Sequence, residues 1–105
     1  MRIEWSEGAY ADYDEILDYL VSEFGRKTAL EFQNRLDSNL ALLSEFPLMG
    51  SYEYINPKTN IEYRSISCRQ YKIVYAPMTD RVIVVSFWNN RRNPATLHRL
   101  LSGLK

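Results

Sequence analysis

The spacing of apolar residues along the chain changes twice, and each change marks a change of secondary structure. Ile3 and Trp5 alternate with Arg2 and Glu4, the period-two pattern of a short strand with one buried face. Ser6 ends it and suits a helix N-cap, because its hydroxyl can accept from a free backbone N–H of the first turn. From there Tyr10, Tyr13, Leu17, Leu20 and Phe24 recur at intervals of three and four, with Asp12, Asp14, Glu15 and Asp18 to the sides and back. This spacing predicts a first helix buried along the Tyr10–Phe24 stripe and closed by Gly25. Ala29, Phe32, Leu36, Leu40 and Leu43 repeat the pattern up to Phe46–Pro47, so a second helix follows almost at once. So short a connection makes the two an antiparallel hairpin.

Pro47, Gly50 and Pro57, with Ser51, Asn56 and Asn60 between them, mark residues 47–60 as a loop with turns. The period then returns to two. Residues 61–67, 71–76 and 81–88 are short, rich in β-branched and aromatic side chains, and divided by polar connections, which predicts a three-stranded antiparallel meander. Asn89 to Pro94 turns the chain, and residues 95–104 can close it as a short helix or tail. The fold class is therefore α+β: an N-terminal strand and an antiparallel helical hairpin packed on a mostly antiparallel sheet, in the order β-α-α-β-β-β. At 105 residues, 46% of them hydrophobic and 25% charged, the chain fits one globular domain over residues 1–105.

Charge sharpens this picture. Residues 1–60 hold five basic and eleven acidic residues, net −6, whereas residues 61–105 hold eight basic and two acidic, net +6. A basic half attracts nucleic acid or an acidic protein segment even in a chain that is neutral overall. With helices on one sheet face, the other face is the expected functional surface, and Arg64 is expected on it. Arg64 can present its guanidinium to phosphate or carboxylate, or pair with Glu62. Lys72 lies in the next strand. Arg91 and Arg92 follow the last strand, where a turn exposes them for binding. Tyr71 sits at a hairpin edge close to Arg69, and His98 reads as an ordinary, partly exposed helix histidine. One cysteine, Cys68, and one histidine exclude an internal disulfide and a Cys/His zinc site, so neither metal nor cofactor is expected. No stretch is apolar enough to span a bilayer and no secretory signal opens the chain, which predicts a cytoplasmic protein without membrane contact. No glycine-rich phosphate loop, HExxH or Ser-His-Asp set is present.

The ordered segments ADYDEILDYL, ALEFQNRLDSNLALLSEFPLMG and YRSISCRQYKIVYAPMTDRVIVVSFWNNRRNP resemble the RelE/ParE toxin superfamily over nearly the whole chain. The resemblance rests on Ala29 and Phe32, the Leu43-to-Gly50 segment, Tyr63–Arg64, Tyr71 to Tyr75, and Asn90 to Pro94. It implies the toxin of a type II toxin–antitoxin system, held inactive by a cognate antitoxin and touching operator DNA only through it. ParE-like members poison DNA gyrase by binding it. RelE-like members cut mRNA on the ribosome. Were this chain such a ribonuclease, Arg64, Arg69 and Tyr71 would be its catalytic candidates, but no acid–base pair is legible and ATLHRLLSGLK departs from the RelE-like terminus. Arg91-Arg92-Asn93-Pro94 looks more like the ParE side. The gyrase-directed reading is therefore favoured, with Arg91, Arg92, Arg64 and Lys72 as target-binding residues. A superfamily member without toxicity, kept as an antitoxin-binding module, is the third reading.

Overall fold

The computed structural model describes residues 1–104. Its elements run β1 (Arg2–Trp5), α1 (Glu7–Phe24), α2 (Arg26–Glu45), β2 (Ser51–Ile55), β3 (Glu62–Cys68), β4 (Tyr71–Pro77), β5 (Arg81–Asn89) and α3 (Pro94–Ser102). The five strands form one sheet in the order β1-β5-β4-β3-β2. Strand β1 runs parallel to β5, and every other pairing is antiparallel. The expected α+β architecture is present with one strand more than the sequence reading gave. Residues 47–60 are not all loop: SYEYI pairs with β3 as an edge strand, and only the flanks turn.

Ser6 caps α1 as expected, accepting from the Ala9 N–H at 3.1 Å. Gly25, at φ 92°, both ends α1 and opens α2, a backbone conformation that glycine adopts at little cost. The buried stripe of α2 is the expected one, Ala29, Phe32, Leu36 and Leu43. That of α1 is shifted. Ala9, Ile16 and Leu20 are its buried residues with Tyr13 half-buried, whereas Tyr10 and Phe24 are 56% and 60% exposed. The small Ala9 lets the helix lie close to the sheet, and Tyr10 rotates outward to pack its ring 5.0 Å from that of Trp5.

Successive strand residues serve two cores. Cys68, Ile73, Val84 and Phe87 face α1 and α2. Tyr63, Val74, Ala76 and Trp88 face α3, which inserts Leu97 and Leu101 among them. The face expected to stay open is thus partly covered. Strict alternation also fails in β5, because Val74 pairs with Ser86 and Tyr75 with Val84, leaving Val85 as a bulge. Beyond it Phe87 turns toward the helical hairpin, and Asp12 of α1 accepts from the Phe87 N–H at 3.0 Å and from the Ser86 hydroxyl at 2.9 Å.

Four tyrosines belong to these cores. Burial raises the phenols of Tyr13, Tyr63, Tyr71 and Tyr75 above their ordinary value of 10.0. A group whose proton is held more tightly when folded contributes stability that is intact below its unfolded value and declines as pH rises through the folded one. Denaturant midpoints are therefore expected to be level up to about pH 10 and to fall above it, with the last part of the phenolate absorbance rising in the same transition. Complete ionisation of all eight tyrosines while the native state stays fully stable would show these four rings to be accessible.

Candidate functional site

The turn after β5 is built by asparagine. The Asn89 side chain accepts from the Arg91 N–H at 2.9 Å, the Asn89 carbonyl accepts from the Arg92 N–H at 2.9 Å, and the Asn90 N–H donates to the Gln70 carbonyl at 2.9 Å. Asn93 then caps α3 by accepting from Ala95 N–H at 3.0 Å, with Pro94 in the first helical turn. Every backbone group so fixed reduces the entropy lost when the turn meets a partner. Arg91 is presented outward and exposed. Arg92 lays its guanidinium 3.9 Å from the centroid of the buried Trp88 ring, a cation–π contact that holds its orientation.

Lys72 lies on the α3 side of the sheet, in a cluster the sequence did not reveal. Its ammonium donates to both oxygens of Glu53 at 3.2 Å, and the Ser65 hydroxyl donates to the same carboxylate at 2.6 Å. His98 of α3 reaches to 3.9 Å from Glu53 and stacks on Tyr54 with ring centroids 5.6 Å apart. Only 9% of the Glu53 side chain is exposed, so this carboxylate is held by its neighbours rather than by water. Glu53 was hidden because Pro47, Gly50 and Pro57 disguised β2 as loop. The alternating Tyr52-Glu53-Tyr54 was the signal that could have shown it.

The remaining candidates do not converge on Lys72. Arg64 shares its side of β3 with Ile66 and Cys68, both packed toward the helical hairpin, so its expected place on the open face is corrected. Its guanidinium holds Glu62 through two contacts, at 3.1 and 3.4 Å, and donates to the carbonyls of Leu48 at 3.3 Å and Gly50 at 2.9 Å. Arg64 thereby fastens the segment between α2 and β2. Arg69 projects from the β3–β4 turn at φ 56°, with Glu31 of α2 3.8 Å away. Tyr71 is buried beneath the helices, edge-on to Phe32 with ring centroids 5.6 Å apart. It meets one other candidate, Arg92, along a cavity of about 240 Å³ that Asp12, Glu15 and Tyr19 also line.

A model of the ParE toxin of the type II toxin–antitoxin system parDE matches residues 3–94, from β1 through the arginine turn. The chain belongs to the ParE toxin family. A solved structure described as the chromosomal ParDE TA system from P. aeruginosa shares its fold, with a TM-score of 0.67 at 16% identity over 85% of this chain and 95% of that one. No curated protein matches the sequence. The ParE match ends where α3 begins, so Arg91 and Arg92 lie within it and His98 outside it. Among the described residues no helix is long and apolar enough to cross a membrane.

Proposed function

We propose that this ParE-family toxin arrests growth by binding DNA gyrase through the turn that carries Arg91 and Arg92, and that a cognate antitoxin neutralises it. The observation that carries the reading is the rigid presentation of this pair, with Arg92 fixed on Trp88 and Arg91 free in solvent. Arginine suits such a role because its planar fork matches carboxylates in bidentate fashion and remains charged throughout the accessible pH range. Replacing both with alanine is expected to leave the fold intact, since exposed charges contribute about 0–1 kcal/mol each and the cation–π contact about 1 kcal/mol. Growth arrest on induced expression, and inhibition of supercoiling by purified gyrase, are expected to fall at least tenfold. A double variant as toxic as the parent would remove the turn from the mechanism.

One observation favours the alternative of ribosome-dependent mRNA cleavage. Transfer of the RNA 2′-hydroxyl proton needs a base, a cation near the phosphate and an acid for the leaving oxygen. Glu53, Lys72 and His98 are residues of those three kinds within one cluster. Mapping mRNA ends in the induced cultures separates the readings: arrest with intact mRNA and altered supercoiling supports gyrase, and arrest with mRNA cut within codons supports the nuclease. Growth without arrest would favour the non-toxic antitoxin-binding module.

A further inference from the structure

Strand β5 reverses the direction of its side chains at one residue, and α1 holds the place where it does so. Its pairing with β4 shifts by one position at Val85. Before the bulge Val82 and Val84 face the helical hairpin, whereas beyond it Phe87 takes that side and Trp88 faces α3. An unbroken alternation from Val82 and Val84 would set Trp88 on the hairpin side instead, since a slip of one residue inverts every side chain after it. Arg92 would then lose its ring, because its guanidinium lies 3.9 Å from the centroid of Trp88 only in the arrangement that the bulge creates. One inserted residue therefore decides where the second arginine of the turn is aimed.

A bulge interrupts the ladder and leaves backbone groups without the partners that regular pairing supplies. Strand β1 cannot supply them, because its pairing with β5 ends at Trp5 and Val84. The start of α1 does. The Ser6 N–H donates to the Val84 carbonyl at 2.9 Å, and the Ser6 hydroxyl donates to the Val85 carbonyl at 3.3 Å. Less than two turns on, one oxygen of Asp12, Oδ2, accepts from the Ser86 hydroxyl at 2.9 Å and from the Phe87 N–H at 3.0 Å. Ser6 thus grips the near side of Val85, and Asp12 grips the far side, next to Trp88. Asp12 also lines one cavity with Asn89 and Arg92, at the base of the turn. No ion pair joins Asp12 to Arg92 among the described residues, so its hold on the turn runs through the backbone of β5.

We propose that Asp12 is the positioning residue of the arginine turn: by fastening the bulge at Val85 it fixes the side of the sheet on which Trp88 lies, and with it the aim of Arg92. Asp12 touches no target itself. Its consequence for gyrase rests on the reading of this turn as the target-binding segment, whereas its effect on Arg92 does not. Bulges commonly serve to re-aim a side chain in this way, and here the re-aimed ring is the platform on which a cation is held.

The experiment follows the Arg92 side-chain protons by NMR in the folded chain, where the ring current of the stacked indole moves them upfield, and measures inhibition of gyrase supercoiling with the same samples. Asp12→Ala is expected to return the Arg92 signals toward those of a solvated arginine and to weaken inhibition roughly fivefold. Asp12→Asn is expected to restore both, since its amide oxygen can accept both bonds without the charge. Asp12→Glu keeps the charge and the helix but sets its oxygens one methylene further out. It is expected to behave as Asp12→Ala, and it carries the test should the alanine variant not fold. In an Arg92→Ala background, Asp12→Ala is expected to change inhibition by less than about twofold, a coupling that a general loss of stability does not produce. An upfield Arg92 signal retained in the variant that carries the test, its loss in folded Asp12→Asn, or additive losses of inhibition from Asp12→Ala and Arg92→Ala would overturn the proposal. A parent chain without effect on gyrase would overturn the target and not the positioning, which the arginine signal decides by itself.

Discussion

Gly50→Ala is expected to destabilise the domain by about 3 kcal/mol, the largest effect of any single-methyl addition among its glycines. A Cβ built on Gly50 lies 2.6 Å from the Tyr75 hydroxyl oxygen, 2.9 Å from that ring and 2.8 Å from the Ser65 carbonyl oxygen. Neither neighbour has room to yield. Tyr75 is fully buried, and Ser65 is paired to Ser51 on one side and Val74 on the other. The N–H of Gly50 donates to the Tyr75 hydroxyl at 3.0 Å and its carbonyl accepts from Arg64, so displacing the glycine loosens two further contacts. In a domain of this size the expected loss lowers Tm by more than about 10 °C. Gly103→Ala is the control, since its Cβ meets nothing nearer than 3.6 Å. If thermal denaturation of the two variants coincides, the packing around Tyr75 is softer than its burial implies.

Asn56→Asp is expected to release α3 from the sheet. Asn56 is fully buried at the end of β2, and its amide donates to the carbonyls of Leu101 at 3.1 Å, Ser102 at 3.3 Å and Leu104 at 3.1 Å. Its side-chain oxygen accepts from the Lys58 N–H at 2.9 Å. One side chain therefore closes the β2–β3 turn and satisfies carbonyls that the helix end leaves without partners. Aspartate keeps the bond from Lys58, loses every donation and sets a carboxylate against three carbonyl oxygens. The cost is about 3–5 kcal/mol, concentrated on α3. Hydrogen exchange is expected to lose protection first at residues 94–104, with the fluorescence of Trp88, which α3 covers, shifting to the red. Uniform loss of protection across the sheet would mean that α3 and the sheet unfold as one unit.

Much of the architecture was legible because its signals are local. Ser6, Gly25 and Asn93–Pro94 announce helix ends through their own chemistry, and the Ala29-to-Leu43 stripe has one apolar face and no competitor. The α1 stripe was misread because that helix carries two overlapping apolar arcs, and the sheet selects the one with the small Ala9. The bulge at Val85 left no trace, since residues 82–85 are apolar on both sides and suit either register. The site was less legible than the fold. Arg91 and Arg92 stood out by position, whereas Glu53 and His98 are 45 residues apart and meet only once β2 has joined the sheet and α3 has folded over it. Arg64 was misplaced for a related reason: the carbonyls of Leu48 and Gly50 that hold it belong to the stretch read as loop.

The parallel pairing of β1 with β5 bears on the protein's synthesis. Arg2 to Trp5 find their hydrogen-bonding partners in Arg81 to Val84, and Asp12 finds its own in Ser86 and Phe87. A growing chain that ends anywhere before β5 has a first strand with nothing to pair with and a helical hairpin missing a central strand of its floor. Contacts so distant in sequence form late, because the intervening loop must close before they are gained. The sheet is thus expected to close only after nearly all of the chain has left the ribosome, so no nascent chain ending before β5 holds the complete floor under the helical hairpin.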